Sequence, residues 1–155
     1  MQEQVINALK KVSFLSRYSN ICTEYSNFEQ SKTPLLKFLK EILGKIDENF
    51  KYIKLERLFL KDLIINNEIK MRIVFSCSGG LFEFFIQLIK NDDYTINNRL
   101  DFLGNIVYPE YKESLGNKSL PKTTNDEDTE QILKEVIALI DEFIVEFKNE
   151  ILKAE

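Results

Sequence analysis

The sequence contains no histidine and no tryptophan, and only two of its 155 residues are cysteines. The lack of histidine excludes Ser-His-Asp and Cys-His nucleophile pairs, histidine metal sites and imidazole acid–base catalysis. Cys22 and Cys77 are too few for a cysteine zinc site or a disulfide framework, and we expect both to be small buried hydrophobes. The sequence also lacks a phosphate-binding loop and a dinucleotide-binding glycine pattern. We therefore predict a protein that is not an enzyme and that binds no cofactor and no metal.

Long hydrophobic runs are missing as well. The longest apolar stretch, residues 81–89, is interrupted by Glu83 and Gln87 and is too short to span a bilayer. Residues 1–4 show neither the basic nor the apolar region of a signal peptide. We expect a cytoplasmic protein without a membrane partner. Its length predicts a single domain over residues 1–155.

Apolar residues recur at helical spacing near both ends of the chain. This pattern predicts a helix over about residues 2–25, a second over about 34–48 and a last over about 125–153. We expect the first two to form a helical hairpin. Thr124 and Glu127 match a capping box at the start of the last helix.

The middle of the chain changes to a two-residue alternation, which is typical of strands. Residues 69–77 and 82–88 alternate on either side of a Ser-Gly-Gly turn, and this predicts a β-hairpin. Residues 57–65 and 101–108 are possible further strands. The predicted fold class is α+β, with an N-terminal helical hairpin, an antiparallel meander of three to four strands and a long C-terminal helix. We expect one face of the sheet to pack on helices.

Short polar runs offer weaker possibilities for chemistry. The run from Ser76 to Gly80 could cradle a phosphate if a helix followed it, but the alternation beyond it favours a hairpin turn. The pair Asp92-Asp93 and the cluster Asp126 to Asp128 could bind a hard cation. A solvated turn explains the first pair, and helix capping with dipole charge explains the second cluster.

The net charge of −4 is unevenly distributed. Residues 1–72 carry 13 Lys and Arg against 9 Asp and Glu, whereas residues 73–155 carry 8 against 16. Residues 126–146 hold eight acids and one base, Lys134. A helix whose exposed face serves only solubility usually places a lysine four residues after an acid, where the two side chains pair. We therefore expect these acids to be largely unpaired in the chain and to meet a basic partner. Nucleic acid is excluded as the ligand of this half, because phosphate binding requires positive charge.

Two tyrosines flanked by acids provide a second candidate surface just before the loop that precedes the last helix. Tyrosine is favoured at interfaces because it offers a large area and a hydroxyl group. The alternative, that both rings cover the edge of the core, stays open. The predicted partner-binding residues are Tyr108, Glu110, Tyr111, Glu113, Asp126, Glu127, Asp128 and Glu130.

Taken together, these features suggest a family. A small, acidic, histidine-free α+β protein with a Phe-rich hairpin at residues 75–85, the segment LGNIVYPEY at 103–111 and a long acidic final helix resembles the immunity proteins of bacterial polymorphic-toxin and contact-dependent inhibition systems. The resemblance implies a cytosolic protein that binds one cognate toxin domain, often a basic nuclease, and blocks its active site. We expect the chain itself to be a monomer or a weak dimer.

Three other functions remain open. The chain could be a phage-encoded inhibitor of a host defence nuclease that imitates the charge of DNA. It could be a non-catalytic adaptor subunit that self-associates through the long helix. It could also be an enzyme of unfamiliar type that uses carboxylates and the turn at residues 76–80.

Overall fold

The computed structural model describes residues 1–107 and 120–155. Three helices are followed by a five-stranded antiparallel sheet, a short helical region and one long helix. The predicted α+β class and the order of its parts are confirmed, and the meander has one strand more than the upper number expected. The helices are α1 (Gln2–Lys11), α2 (Phe14–Glu24), α3 (Leu36–Ile46), α4 (Gly104–Val107) and α5 (Asp126–Ala154). The strands are β1 (Lys51–Ile53), β2 (Leu58–Ile64), β3 (Ile69–Ser78), β4 (Leu81–Lys90) and β5 (Asp93–Arg99).

The sheet is a simple meander in the order β1-β2-β3-β4-β5. Its centre is the predicted hairpin of β3 and β4, which pair over their whole length. The register aligns Phe59, Phe75 and Phe84 across β2, β3 and β4 on one face. Their rings stack with centroids 4.9 and 5.0 Å apart, and all three are buried. Burying a ring of this size contributes about 2 kcal/mol, so this row anchors the core.

The helices cover the aromatic face of the sheet, as predicted. The longest of them, α5, has 29 residues, and α1, α2 and α3 all pack against it. The ring of Phe143 on α5 meets the ring of Phe14 on α2 edge-on, with centroids 5.9 Å apart. Because α5 comes last in the chain, the core joins residues that are far apart in sequence.

The single helix predicted over residues 2–25 is two helices. The break lies at Val12 and Ser13, and Ser13 has a left-handed backbone with φ of 53°. Val5 and Leu9 before the break and Phe14 after it are all buried. Each short helix turns its apolar side to the core, so the apolar pattern continues through the break.

The strand predicted over residues 101–108 is also wrong within the described residues. Leu100–Phe102 form a 3₁₀ turn and Gly104–Val107 a short helix. Leu100, Leu103 and Val107 are buried at steps of three and four, which is the spacing of a helix. Two strands, β1 and β5, were not predicted, because β1 is very short and β5 is a polar edge strand in which only Ile96 is buried.

None of the helices in residues 1–107 and 120–155 combines the length and the hydropathy needed to cross a membrane.

Candidate functional site

The first turn of α5 carries three acids at an exposed end of the molecule. Asp126 and Glu127 are exposed, and Asp128 is half-buried. In the described part of the chain, no hydrogen bond or ion pair engages the side chain of Asp126 or Glu127. Negative charge at this position favours the helix dipole, so these acids stabilise α5 while facing solvent.

The residue that caps α5 is Asn125 and not the predicted Thr124. Oδ1 of Asn125 accepts a hydrogen bond from the backbone N–H of Asp128 at 2.8 Å, which satisfies one of the free donors at the helix start. Oγ1 of Thr124 donates to Oδ2 of Asp128 at 2.7 Å. The predicted capping box is therefore displaced by one residue, and Glu127 is not part of it.

Most other acids of α5 are paired inside the molecule, which corrects the prediction that they are largely unpaired. Their partners lie on α1, α2 and β2 as well as on α5 itself. The pairs are Glu130–Lys134 at 3.0 Å, Asp141–Lys61 at 3.9 Å, Glu146–Lys11 at 2.7 Å, Glu150–Lys153 at 3.2 Å and Glu142–Arg17. The positive N-terminal half thus compensates part of the negative C-terminal half within one chain.

A group of acids that has no cation partner among residues 1–107 and 120–155 remains where the end of α2 meets α5. Glu24 is the last residue of α2, whose final turn has no basic residue. Burial and the nearby Glu24 carboxylate raise the pKa of Glu135, and the hydroxyl of Tyr25 offsets this only in part. Oε2 of Glu135 is shielded from solvent and accepts no hydrogen bond from the described residues. We call this group the acidic end; it consists of Glu24, Asp126, Glu127, Asp128 and Glu135.

Tyr25 lies among these carboxylates. Burial raises the pKa of its hydroxyl, and the charges of Glu135, Glu24 and Asp128 raise it further. The hydroxyl therefore stays protonated and can donate a hydrogen bond. The ring packs partly against the core, so the position of Tyr25 is set by the fold.

An exposed aromatic ring lies three residues after Tyr25 in the sequence. Phe28 is 63% exposed and belongs to the loop between α2 and α3. The loop is held at two points, because the backbone N–H of Lys122 donates to the carbonyl of Tyr25 at 2.8 Å and that of Lys32 donates to the carbonyl of Thr123 at 3.0 Å. Both bonds join it to the residues just before α5. Phe28 was not predicted as a site residue, since a loop position has no periodicity that reveals exposure.

The predicted contact residues divide into two groups. Tyr108, Glu110, Tyr111 and Glu113 lie outside the described residues. Asp126, Glu127, Asp128 and Glu130 share the N-terminal end of α5, and of these Glu130 is paired with Lys134. The acidic end therefore takes three of its members from the prediction and adds Glu24 and Glu135.

The run from Ser76 to Gly80 is a hairpin turn, as the alternation predicted. Gly79 and Gly80 have φ values of 60° and 80°, and β4 follows directly. Burial raises the pKa of the Cys77 thiol to about 12, so the thiol is not a nucleophile at neutral pH. No helix follows the turn, so the geometry of a phosphate cradle is absent from this segment.

Asp92 and its neighbour Asn91 form the turn between β4 and β5, with φ values of 67° and 50°. Both residues are exposed, which agrees with the interpretation as a solvated turn. Across residues 1–107 and 120–155, no group of three or more acidic or thiol side chains is placed to hold a metal ion.

Comparison with protein-family models, with curated protein sequences and with solved structures finds no match to this chain.

Proposed function

We propose that this chain is a binding protein that neutralises a cognate toxin domain, in the manner of bacterial polymorphic-toxin immunity proteins. The acidic end would cover a basic surface of the toxin, and inhibition would follow from occlusion without chemistry. The observation that carries the proposal is the contrast along α5. Its later acids are compensated inside the molecule, whereas the carboxylates of the acidic end have no cation among the described residues.

Uncompensated carboxylates favour a cationic partner for a simple electrostatic reason. Burial, and to a smaller extent the charge of Glu24, raises the pKa of Glu135, so its charged form is disfavoured. A lysine or arginine from a partner would remove that repulsion, and complementary charge would also accelerate encounter. A nuclease cleft is basic because it binds phosphate, so it fits such a surface.

Phe28 supplies the apolar contact that a charged surface alone lacks. Binding energy at protein interfaces is concentrated in a few aromatic and arginine anchors surrounded by a polar rim. Phe28 is 63% exposed and follows Tyr25 by three residues, so its ring is available as such an anchor. We therefore place Phe28 at the centre of the proposed contact and the carboxylates around it.

Co-expression with the toxin domain encoded beside this gene tests the function. The proposal expects restored growth of the host, a stable one-to-one complex and an association rate that falls as salt rises, because the contact is electrostatic. A neighbouring domain that is harmless, or whose toxicity this chain does not relieve, would contradict the proposal.

Charge reversal tests the surface. Glu24→Lys with Glu127→Lys changes two exposed residues that are not part of the helix cap, and we expect affinity to fall by about tenfold to a hundredfold. Phe28→Ala should weaken binding by a similar factor. Glu56→Lys, in the turn between β1 and β2, is the matched control and should leave affinity unchanged. Equal affinity of all these variants would show that the partner binds elsewhere.

A further inference from the structure

The solvent-facing side of α5 carries a stripe of exposed residues with heptad spacing. Its positions follow steps of four, three, four, three and four, which keeps them on one line along the helix. The stripe consists of Lys134, Ala138, Asp141, Val145, Lys148 and Leu152, all of which are exposed. The apolar members recur every seven residues, and Val145 and Leu152 are 57% and 67% exposed. A helix face that served only solubility would carry polar residues at these positions.

The two charged members of the stripe nearest to Val145 have opposite sign. Asp141 lies four residues before it and Lys148 three residues after it, with opposite charge. Lys148 forms no hydrogen bond or ion pair in the described part of the chain. Asp141 has only a long contact, 3.9 Å, to Lys61. Lys148 is therefore available to a partner, and Asp141 keeps an exposed carboxylate beside its long contact with Lys61.

We propose that two copies of this chain pair through this stripe, with their α5 helices antiparallel about a twofold axis at Val145. In that arrangement Val145 of one protomer meets Val145 of its partner. Ala138 of each protomer faces Leu152 of the other, and Asp141 lies within one residue of the position opposite Lys148, close enough for their long side chains to pair. A twofold axis repeats every contact, so each ion pair occurs twice. The parallel arrangement would instead place like charges together and is disfavoured.

The surface beside Val145 is concave. A cleft of about 420 Å³ opens where α1 ends and α2 begins, and Val145 forms part of its wall. Val12 and Ser13 line the same cleft, together with the ion-paired side chains of Lys11, Arg17, Glu142 and Glu146. The partner's α5 would lie along this concavity. The contact is small, so we expect a weak dimer with a dissociation constant on the order of 100 μM.

This surface is separate from the one used in the proposed function. Glu127 and Val145 are 18 positions apart on one helix, which corresponds to roughly 27 Å. Pairing through α5 would leave the acidic end exposed on each protomer. The proposal on self-association therefore stands or fails independently of toxin binding.

Sedimentation equilibrium of the full chain, from about 10 μM to about 1 mM, tests the pairing. We expect a concentration-dependent dimer. Lys148→Glu places two acids opposite each other and should raise the dissociation constant by about tenfold or more. The double variant Asp141→Lys/Lys148→Glu exchanges the charges and should restore dimerisation. A chain that stays monomeric at about 1 mM, or a double variant no better than the single one, would overturn the proposal.

Cross-linking provides a second test, which captures even a weakly populated dimer. Val145→Cys in a Cys77→Ser background should form a disulfide-linked dimer on mild oxidation, because residues at a twofold axis approach within disulfide range. Leu55→Cys is the matched control, since Leu55 is 93% exposed in a turn far along the chain from α5. Equal yields of cross-linked dimer from the two variants would contradict the predicted axis. Far-ultraviolet circular dichroism confirms that each variant is folded.

Discussion

Nζ of Lys61 on β2 lies 2.6 Å from Oδ2 of Asp47, the residue that follows α3. The two side chains are only 11% and 9% exposed. Burial alone would raise the pKa of Asp47, but hydrogen bonds from Lys61 and from the backbone N–H of Asn49 outweigh it, so that pKa is lowered. This ion pair fixes the end of α3 against the sheet, inside the edge of the core.

Removing one partner of this pair should be far more harmful than removing both. Asp47→Ala leaves the Lys61 ammonium with the distant Asp141 and the ring of Phe50, and we expect a loss of about 3 kcal/mol in the free energy of unfolding. Asp47→Ala/Lys61→Met replaces the pair with apolar groups and should recover most of that loss. Urea unfolding at neutral pH measures both. A cost of only a few tenths of a kcal/mol for the single variant would mean that water screens the pair as it does at a surface.

The turn between β3 and β4 allows a sharp comparison of two adjacent glycines. A Cβ on Gly80 would lie 2.5 Å from the backbone nitrogen of Lys32 and 2.8 Å from Cβ of Ser31. The backbone of Gly80 is also left-handed, with a φ of +80°. We expect Gly80→Ala to cost about 3 kcal/mol, because both the clash and the left-handed backbone oppose it.

Gly79→Ala is the control for that variant. Gly79 has a φ of +60°, but the nearest atom to its Cβ is Cδ1 of Leu81 at an ordinary 3.6 Å. Only the left-handed backbone opposes this substitution, so we expect a loss of about 1 kcal/mol in the free energy of unfolding. Equal losses for the two glycines, measured by thermal or urea unfolding, would show that the loop carrying Ser31 and Lys32 moves aside without cost.

Glu135 should contribute a pH-dependent instability. Its pKa is raised in the folded protein above the ordinary value of 4.5, so the folded state holds the proton more tightly than the unfolded state. No penalty exists below the unfolded pKa; the penalty grows as pH rises toward the folded pKa and is complete above it. Glu135→Gln should therefore stabilise the protein at pH 7, by about 0.5 kcal/mol after allowance for solvent screening.

The pH profile distinguishes this effect from a change in packing. The gain from Glu135→Gln should shrink toward zero at pH values near or below 4, where the wild-type carboxyl is protonated in both states. Glu127→Gln is a matched control at an exposed site that favours the helix dipole, and it should be neutral or slightly destabilising at pH 7. A gain at Glu135 that is independent of pH would contradict the electrostatic explanation.

The elements with a strong local pattern were the predictable ones. The hairpin of β3 and β4 combines two-residue alternation with a Gly-Gly turn, and α5 keeps helical spacing for eight turns. The break at Ser13 has no such signal, since neither glycine nor proline marks it and the apolar stripe runs on. The polar strand β5 and the helical turns after Leu100 take their form from packing at the sheet edge.

The candidate site was predictable only in part, for a related reason. The acids at the start of α5 are visible in the sequence as a cluster. Whether an acid is compensated depends on partners such as Arg17 for Glu142, which lies 125 positions away. Local spacing contains no information on such pairs. The same holds for Glu24 and Glu135, which meet only because the end of α2 folds back against α5.

The pairing of the first helices with the last one dictates an order of events during synthesis. Phe14 and its neighbours on α2 finish their packing on Phe143, which leaves the ribosome more than a hundred residues later. Until then the apolar faces of α1 and α2 have no α5 to cover them, while the β3–β4 hairpin can already close locally. The nascent chain therefore exposes an amphipathic surface until α5 has been synthesised, and chaperones can bind this surface in the meantime.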